Sequence, residues 1–169
     1  MNQISTTVAK RSPFSRVLMR VPVPWVFVLG YLAGVGLRLT VFPRLHLSAR
    51  ITHVIVFCGA VLFMIGAIIA GWGLLLFYKA RTTTTPGQAS KALVTQGPYR
   101  ITRNPMYVGL TIAYLGEMGL LVEIAPIIPL LLVIAYLNWI VIPVEEGQLR
   151  EIFGEDYAHY SERVGRWWL

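Results

Sequence analysis

Cysteine is almost missing from this chain: Cys58 stands alone among 169 residues, so no internal disulfide can form and a disulfide-stapled fold is excluded. In the middle of an apolar run, that thiol reads as a small packing residue rather than a nucleophile. Histidine is scarce too, and His46, His53 and His159 lie far apart with no second ligand at a metal-binding spacing, so no metal is expected. Charged residues make up 14% of the chain and apolar ones 56%, against roughly 25% and 45–50% in a soluble domain. What charge there is leans one way, with 8 acidic residues against 15 basic ones. The basic residues flank apolar runs, so the positive-inside effect accounts for them and nucleic acid is not an expected partner.

The apolar residues come in long blocks, the signature of bilayer spans. The first covers 22–42, broken only by Arg38, which is expected to snorkel to the outer interface. A charged start before an apolar run also fits a signal peptide. The absence of a small-x-small cleavage site and the length of the run predict a retained first span instead. The second block, 51–78, carries Gly59, Gly66, Gly71 and Gly73, small residues that let helices approach closely. Blocks at 108–122 and 127–142 are short and are joined tightly at Glu123-Ile124-Ala125-Pro126, which predicts a helical hairpin. Beyond it Leu149, Ile152, Phe153, Tyr157, Tyr160 and Val164 recur at three- and four-residue spacing, an amphipathic interfacial helix, with Trp167-Trp168 as an aromatic anchor.

The expected fold is therefore an all-α integral membrane protein of about four to five transmembrane or re-entrant helices, ending in that interfacial helix. A single domain divides into a cytoplasmic segment 1–21, two spans within 22–78, a polar loop 79–107, the hairpin 108–143 and the tail 144–169. The distribution of Lys and Arg puts both termini, the polar loop and the tail on the cytoplasmic face. Thr82-Thr83-Thr84-Thr85-Pro86-Gly87 within the loop is a turn by composition.

Two polar clusters can carry chemistry. Gly97-Pro98-Tyr99-Arg100 and Arg103-Asn104-Pro105-Met106-Tyr107 lead into the third apolar block. As local structure, Asn104 caps a helix that starts on Pro105. That leaves two tyrosines and two arginines to explain. Tyrosine faces can hold a cation such as a sulfonium, and arginine can hold a carboxylate with two hydrogen bonds. Glu145-Glu146 directly follows the last apolar block, where a charged pair is costly without a partner such as Arg100 or Arg103. Those glutamates also suit a plain helix N-terminus. Glu117, inside the third block, is a further candidate.

These residues resemble the isoprenylcysteine carboxyl methyltransferase family and its phospholipid methyltransferase relatives. That family carries G-P-Y-R-x-x-R-H-P-x-Y, then a hairpin, then E-E-x-x-L-x-x-x-F-G-x-x-Y-x-x-Y. Here the first motif occupies 97–107, and the second runs from Glu145-Glu146 through Leu149, Phe153-Gly154 and Tyr157 to Tyr160. The likeness covers about half the chain, roughly residues 86–168, while the first two spans match only in being hydrophobic. It implies S-adenosylmethionine as cofactor at the cytoplasmic face without a Rossmann fold, and no strand-GxGxxG-helix pattern occurs here. By the same resemblance Gly97, Pro98, Tyr99, Asn104, Pro105, Tyr107, Glu145 and Glu146 would bind the cofactor. Arg100, Arg103 and Asn104 would serve the transfer. A lipophilic or prenylated acceptor would enter from the membrane lipids. The family's histidine is replaced by Asn104, which cannot carry a proton near neutral pH. The alternatives are methylation of a lipid headgroup amine or small thiol, and a non-catalytic protein that binds a lipid or a partner.

Overall fold

In a computed structural model of the chain, residues 21–40, 47–80 and 92–167 are described. They form α1 (Val23–Thr40), α2 (Ala49–Lys79), a 3-10 turn (Gly97–Arg100), α3 (Pro105–Leu121), α4 (Ile127–Tyr136), a π turn (Leu137–Val141) and α5 (Ile142–Arg163). The segment 1–20, Arg44, the 82–87 turn and Trp168 lie outside the described residues. The protein is all-α and membrane-embedded, as expected: α1, α2 and the stretch Ile127–Arg163 are each long and apolar enough to cross a bilayer.

The packing inverts the soluble pattern. On α2 the buried residues are Gly59, Gly66 and Gly73, seven apart along one face. Bulky side chains point away from the protein, with Phe57 70%, Leu132 68% and Trp139 74% exposed. Large apolar residues facing outward along membrane-length helices face lipid. Cys58 is among the exposed residues, so it does not pack inside the protein as its small size predicts. Being next to Gly59, it falls off the glycine face that meets α3.

That glycine face sets the closest contact of the molecule. A Cβ on Gly59 would lie 2.5 Å from the Leu120 backbone nitrogen, and one on Gly109 would lie 2.5 Å from that of Ala70. The two helices run antiparallel with their backbones in contact, an arrangement only small residues permit. On the other side, α1 runs antiparallel to α4 and buries Val23, Phe27, Tyr31 and Gly34, a four-and-three spacing on one helix face. Tyr31 and Phe27 meet Tyr114 of α3 edge-on, and the Tyr114 hydroxyl donates to the Pro126 carbonyl at 2.8 Å. The predicted hairpin is the α3–α4 turn, where Val122 takes the left-handed conformation (φ 53°) and Glu123 N–H returns to the Met118 carbonyl.

At that hairpin tip Arg38 pairs with Glu123, Nε to Oε1 at 2.8 Å. A carboxylate from the neighbouring turn thus satisfies it at that end of the bundle. Glu117 sits one turn from the same tip, far from Glu145 and Glu146.

The tail is helical, and it extends the last span rather than forming a separate element. Pro143 cannot donate to the carbonyl four residues back, and the helix takes this up in the π turn just before it. Gly154 then breaks the helix with φ 49° and ψ −121°, a backbone that glycine alone adopts readily. The break lays Tyr157, Tyr160 and Val164 onto Leu93, Leu149 and Phe153. Ile152 stays exposed.

Candidate functional site

Four helix ends meet opposite the hairpin tip: the start of α1, the end of α2, the start of α3 and the junction of α4 with α5. The 3-10 turn enters this end against α2. Gly97 carries φ +59°, and a Cβ there would press on Leu76 and Trp72 of α2. Pro98 and Tyr99 are buried beneath it, with the Tyr99 ring 5.5 Å from that of Phe77. Tyr160 of α5 donates its hydroxyl to the Tyr99 carbonyl at 2.8 Å.

Burial above all, and then Tyr160 and Glu145 nearby, push the Tyr99 phenol far above its usual range, so it remains a hydrogen-bond donor at any physiological pH. Its hydroxyl is buried without a partner among the described residues. Buried polar atoms are rarely left so.

The two sequence clusters meet here. Tyr107, one turn into α3, donates to Glu145 Oε1 at 2.7 Å across 38 residues of sequence. Glu146 is 5% exposed and holds two arginines, Arg103 at 3.1 Å and Arg166 through paired bonds of 2.9 and 2.7 Å. A buried carboxylate is tolerated only when so partnered. Those bonds push the Arg166 guanidinium pKa up.

Arg103 Nη1 donates to the Tyr157 hydroxyl at 3.2 Å, while its Nε is buried with no partner among the described residues. Asn104 precedes Pro105 at the head of α3, as its sequence predicts, but its side chain makes no capping bond. Its amide reaches instead to the Arg166 carbonyl at 3.0 Å.

Tyr99, Arg103, Asn104, Pro105, Tyr107, Glu145 and Glu146 thus gather at one end, with Gly97 and Pro98 shaping the turn that brings them in. Arg100 does not join them; it ends the 3-10 turn in an exposed position. Of the two partners predicted for the glutamates, Arg103 is the one in place.

Three contributors escape a reading of the sequence. Arg166 looks like one more tail cation, Thr102 like a loop residue and Asn138 like a stray amide. Thr102 Oγ1 donates to the Arg166 carbonyl at 2.7 Å, and Trp167 Nε1 donates to Asn138 Oδ1 at 3.0 Å. Trp167 thus packs, partly buried, against the core. Asn138 did leave a signal, as a lone amide in an apolar block, where polar residues commonly join helices.

The sequence model of the phospholipid methyltransferase family matches residues 54–156, more than half of the chain, covering all of the first motif and the second as far as Asp156, short of Tyr157 and Tyr160. The chain belongs to the phospholipid methyltransferase family. One curated relative, protein-S-isoprenylcysteine O-methyltransferase B of Arabidopsis thaliana, is 36% identical over 72 residues, 43% of this chain. The chain spans 36% of that relative's length. No solved structure matches it. The family member described here is a multi-pass membrane protein whose polar cluster falls largely inside the matched segment, whereas Arg166 and Trp167 fall beyond it.

Proposed function

We propose that the protein transfers a methyl group from S-adenosylmethionine to the carboxylate of a lipophilic acceptor, at the cytoplasmic end of the bundle. The observation that carries this reading is the Tyr107–Glu145 contact of 2.7 Å, which joins the two family motifs into one polar site between lipid-facing helices.

The donor set fits the cofactor. Glu145 offers a carboxylate to a cationic amino group or a hydroxyl. The buried Arg103 Nε and Tyr99 hydroxyl are donors without partners, suited to a carboxylate and a hydroxyl. S-adenosylmethionine, when bound, supplies an activated methyl on a sulfonium and a neutral thioether as leaving group. The protein's part is to align and desolvate the reactants, the terms that dominate a displacement of this kind.

A carboxylate acceptor is already a nucleophile and needs no general base. That suits a site where Asn104 replaces histidine, where His53 is exposed on the first turns of α2 and where His159 is exposed beside Glu162. The lipid-facing flanks allow an apolar acceptor to reach the site from the bilayer. The Arabidopsis relative is named for transfer to the oxygen of an isoprenylcysteine, which supports a prenylated acceptor. The description of the matching family favours a second reading, methylation of a phospholipid headgroup.

Membranes carrying the protein, supplied with methyl-labelled S-adenosylmethionine, separate these readings. Label released as methanol by mild base marks a carboxyl ester. Base-stable label in lipid marks the headgroup amine. No incorporation by folded protein contradicts methyl transfer altogether.

A further inference from the structure

Glu146 lies between two cations. Its Oε1 accepts from Arg166 Nε at 2.9 Å and its Oε2 from Arg166 Nη2 at 2.7 Å, while Arg103 Nη1 lies 3.1 Å from Oε1 as an ion pair. A carboxylate has about four acceptor positions; Arg166 takes one on each oxygen, the Arg103 guanidinium stands against Oε1, and the summed charge of the two arginines exceeds that of the carboxylate. Little is left on Glu146 to hold a cofactor amine. Glu145, with the Tyr107 hydroxyl on one oxygen, is better placed for that.

Arg166 is brought to this point by the segment that follows α5. Three bonds tie its backbone to the 3-10 exit: Arg103 N–H to the Gly165 carbonyl at 2.9 Å, and both Thr102 Oγ1 (2.7 Å) and Asn104 Nδ2 (3.0 Å) to the Arg166 carbonyl. Trp167 seals the end against Asn138 of the π turn. Asn104, where the resembled family has histidine, thus serves as a clasp for this strap. The strap itself lies past residue 156, where the family match stops.

We propose that Arg166 and Glu146 are positioning residues: the strap's guanidinium fixes the Glu146 carboxylate, and Glu146 in turn fixes Arg103 so that its partnerless Nε edge can receive the carboxylate of the methyl donor. This rests on the methyltransferase reading above. The pair acts as one unit, with no direct contact to the donor required of either member. Its loss weakens donor binding and leaves the chemical step as it was.

The test is steady-state methyl transfer by detergent-purified protein at varied S-adenosylmethionine, with thermal melting of each variant alongside. Arg166→Ala is expected to raise KM for the donor about tenfold, equivalent to about 1.4 kcal/mol, with kcat within about twofold. Glu146→Gln is expected to do the same. The double variant should be no worse than either single one, because both act through Arg103. Arg166→Lys keeps the charge without the two-pronged geometry and should restore part of the loss.

Arg163→Ala is the control, since the Arg163 Nε bonds only the His159 carbonyl of its own helix, and its KM should not move. A purely structural Arg166 would lower the melting temperature and the active fraction, hence kcat, at unchanged KM. That result overturns the proposal, as do additive losses in the double variant. Should Arg166→Ala not fold, Arg166→Lys decides alone: a KM raised about threefold supports positioning, and an unchanged KM overturns it. If the wild type neither binds the donor nor transfers methyl, the functional reading itself has failed.

Discussion

Tyr107 is the residue at which the two halves of the site touch. Its hydroxyl meets Glu145 Oε1 at 2.7 Å, a short hydrogen bond to a buried carboxyl group, whose loss costs about 1–3 kcal/mol. Tyr107→Phe keeps the ring in its buried slot and removes that bond alone. S-adenosylmethionine affinity is expected to fall about tenfold or more, with helix content by circular dichroism unchanged; equal affinity would show that Glu145 is not oriented by Tyr107.

A charge placed on the clasp should act on stability instead. Asn104→Asp sets a carboxylate against the Arg166 carbonyl where an amide now donates. The melting temperature in detergent should fall, corresponding to about 1–3 kcal/mol. Single residues were legible where a motif marked them, as with Tyr107, Glu145 and Arg103. Arg166 was not, because what defines it is a partner 20 positions upstream that only the Gly154 break brings within reach.

At the scale of elements, α2 and α3 are joined by small residues rather than by a hydrophobic core. Gly66 lies against the backbone of Ala113 and Gly109, whereas a side chain at Gly71 would meet open space. Gly66→Leu should force the helices apart and abolish the folded detergent-stable species. Gly71→Ala, five residues away, should leave it intact or raise its stability by about 0.5–1 kcal/mol. Similar loss from both would mean that helix propensity, not close approach, governs this pair.

The four glycines in the second block were visible from the start, and so was the α3–α4 hairpin, because prolines and an acid interrupt the apolar pattern. Sequence could not say which of the glycines faces α3, since that depends on the register of two helices. Nor could it show that α4, the π turn and α5 run on as one helix as far as the Gly154 break. The charge of the tail implies a separate interfacial element, while the helix passes Pro143 by a change of pitch.

The whole molecule has two polar ends and a lipid-facing waist. One end is the small Arg38–Glu123 closure, and the other is the arginine–glutamate–tyrosine cluster. From the excess of Lys and Arg we propose that the cluster end faces the cytoplasm. Cys58, the single native thiol, makes this easy to check. In a Cys58→Ala background, Ile124→Cys at the hairpin tip should react with an impermeant maleimide from outside intact cells. Arg100→Cys should react only after permeabilisation; the reverse pattern would invert the topology.

The most direct measurement is calorimetric binding of S-adenosylmethionine to the detergent-purified protein, with Glu145→Gln alongside. Neutralising Glu145 keeps an acceptor for Tyr107 and spares the Arg103–Glu146–Arg166 cluster. Wild-type binding in the micromolar range, weakened about tenfold by Glu145→Gln, is the expected result. A well-folded wild type that binds no S-adenosylmethionine would contradict a methyl-donor site at this end of the bundle.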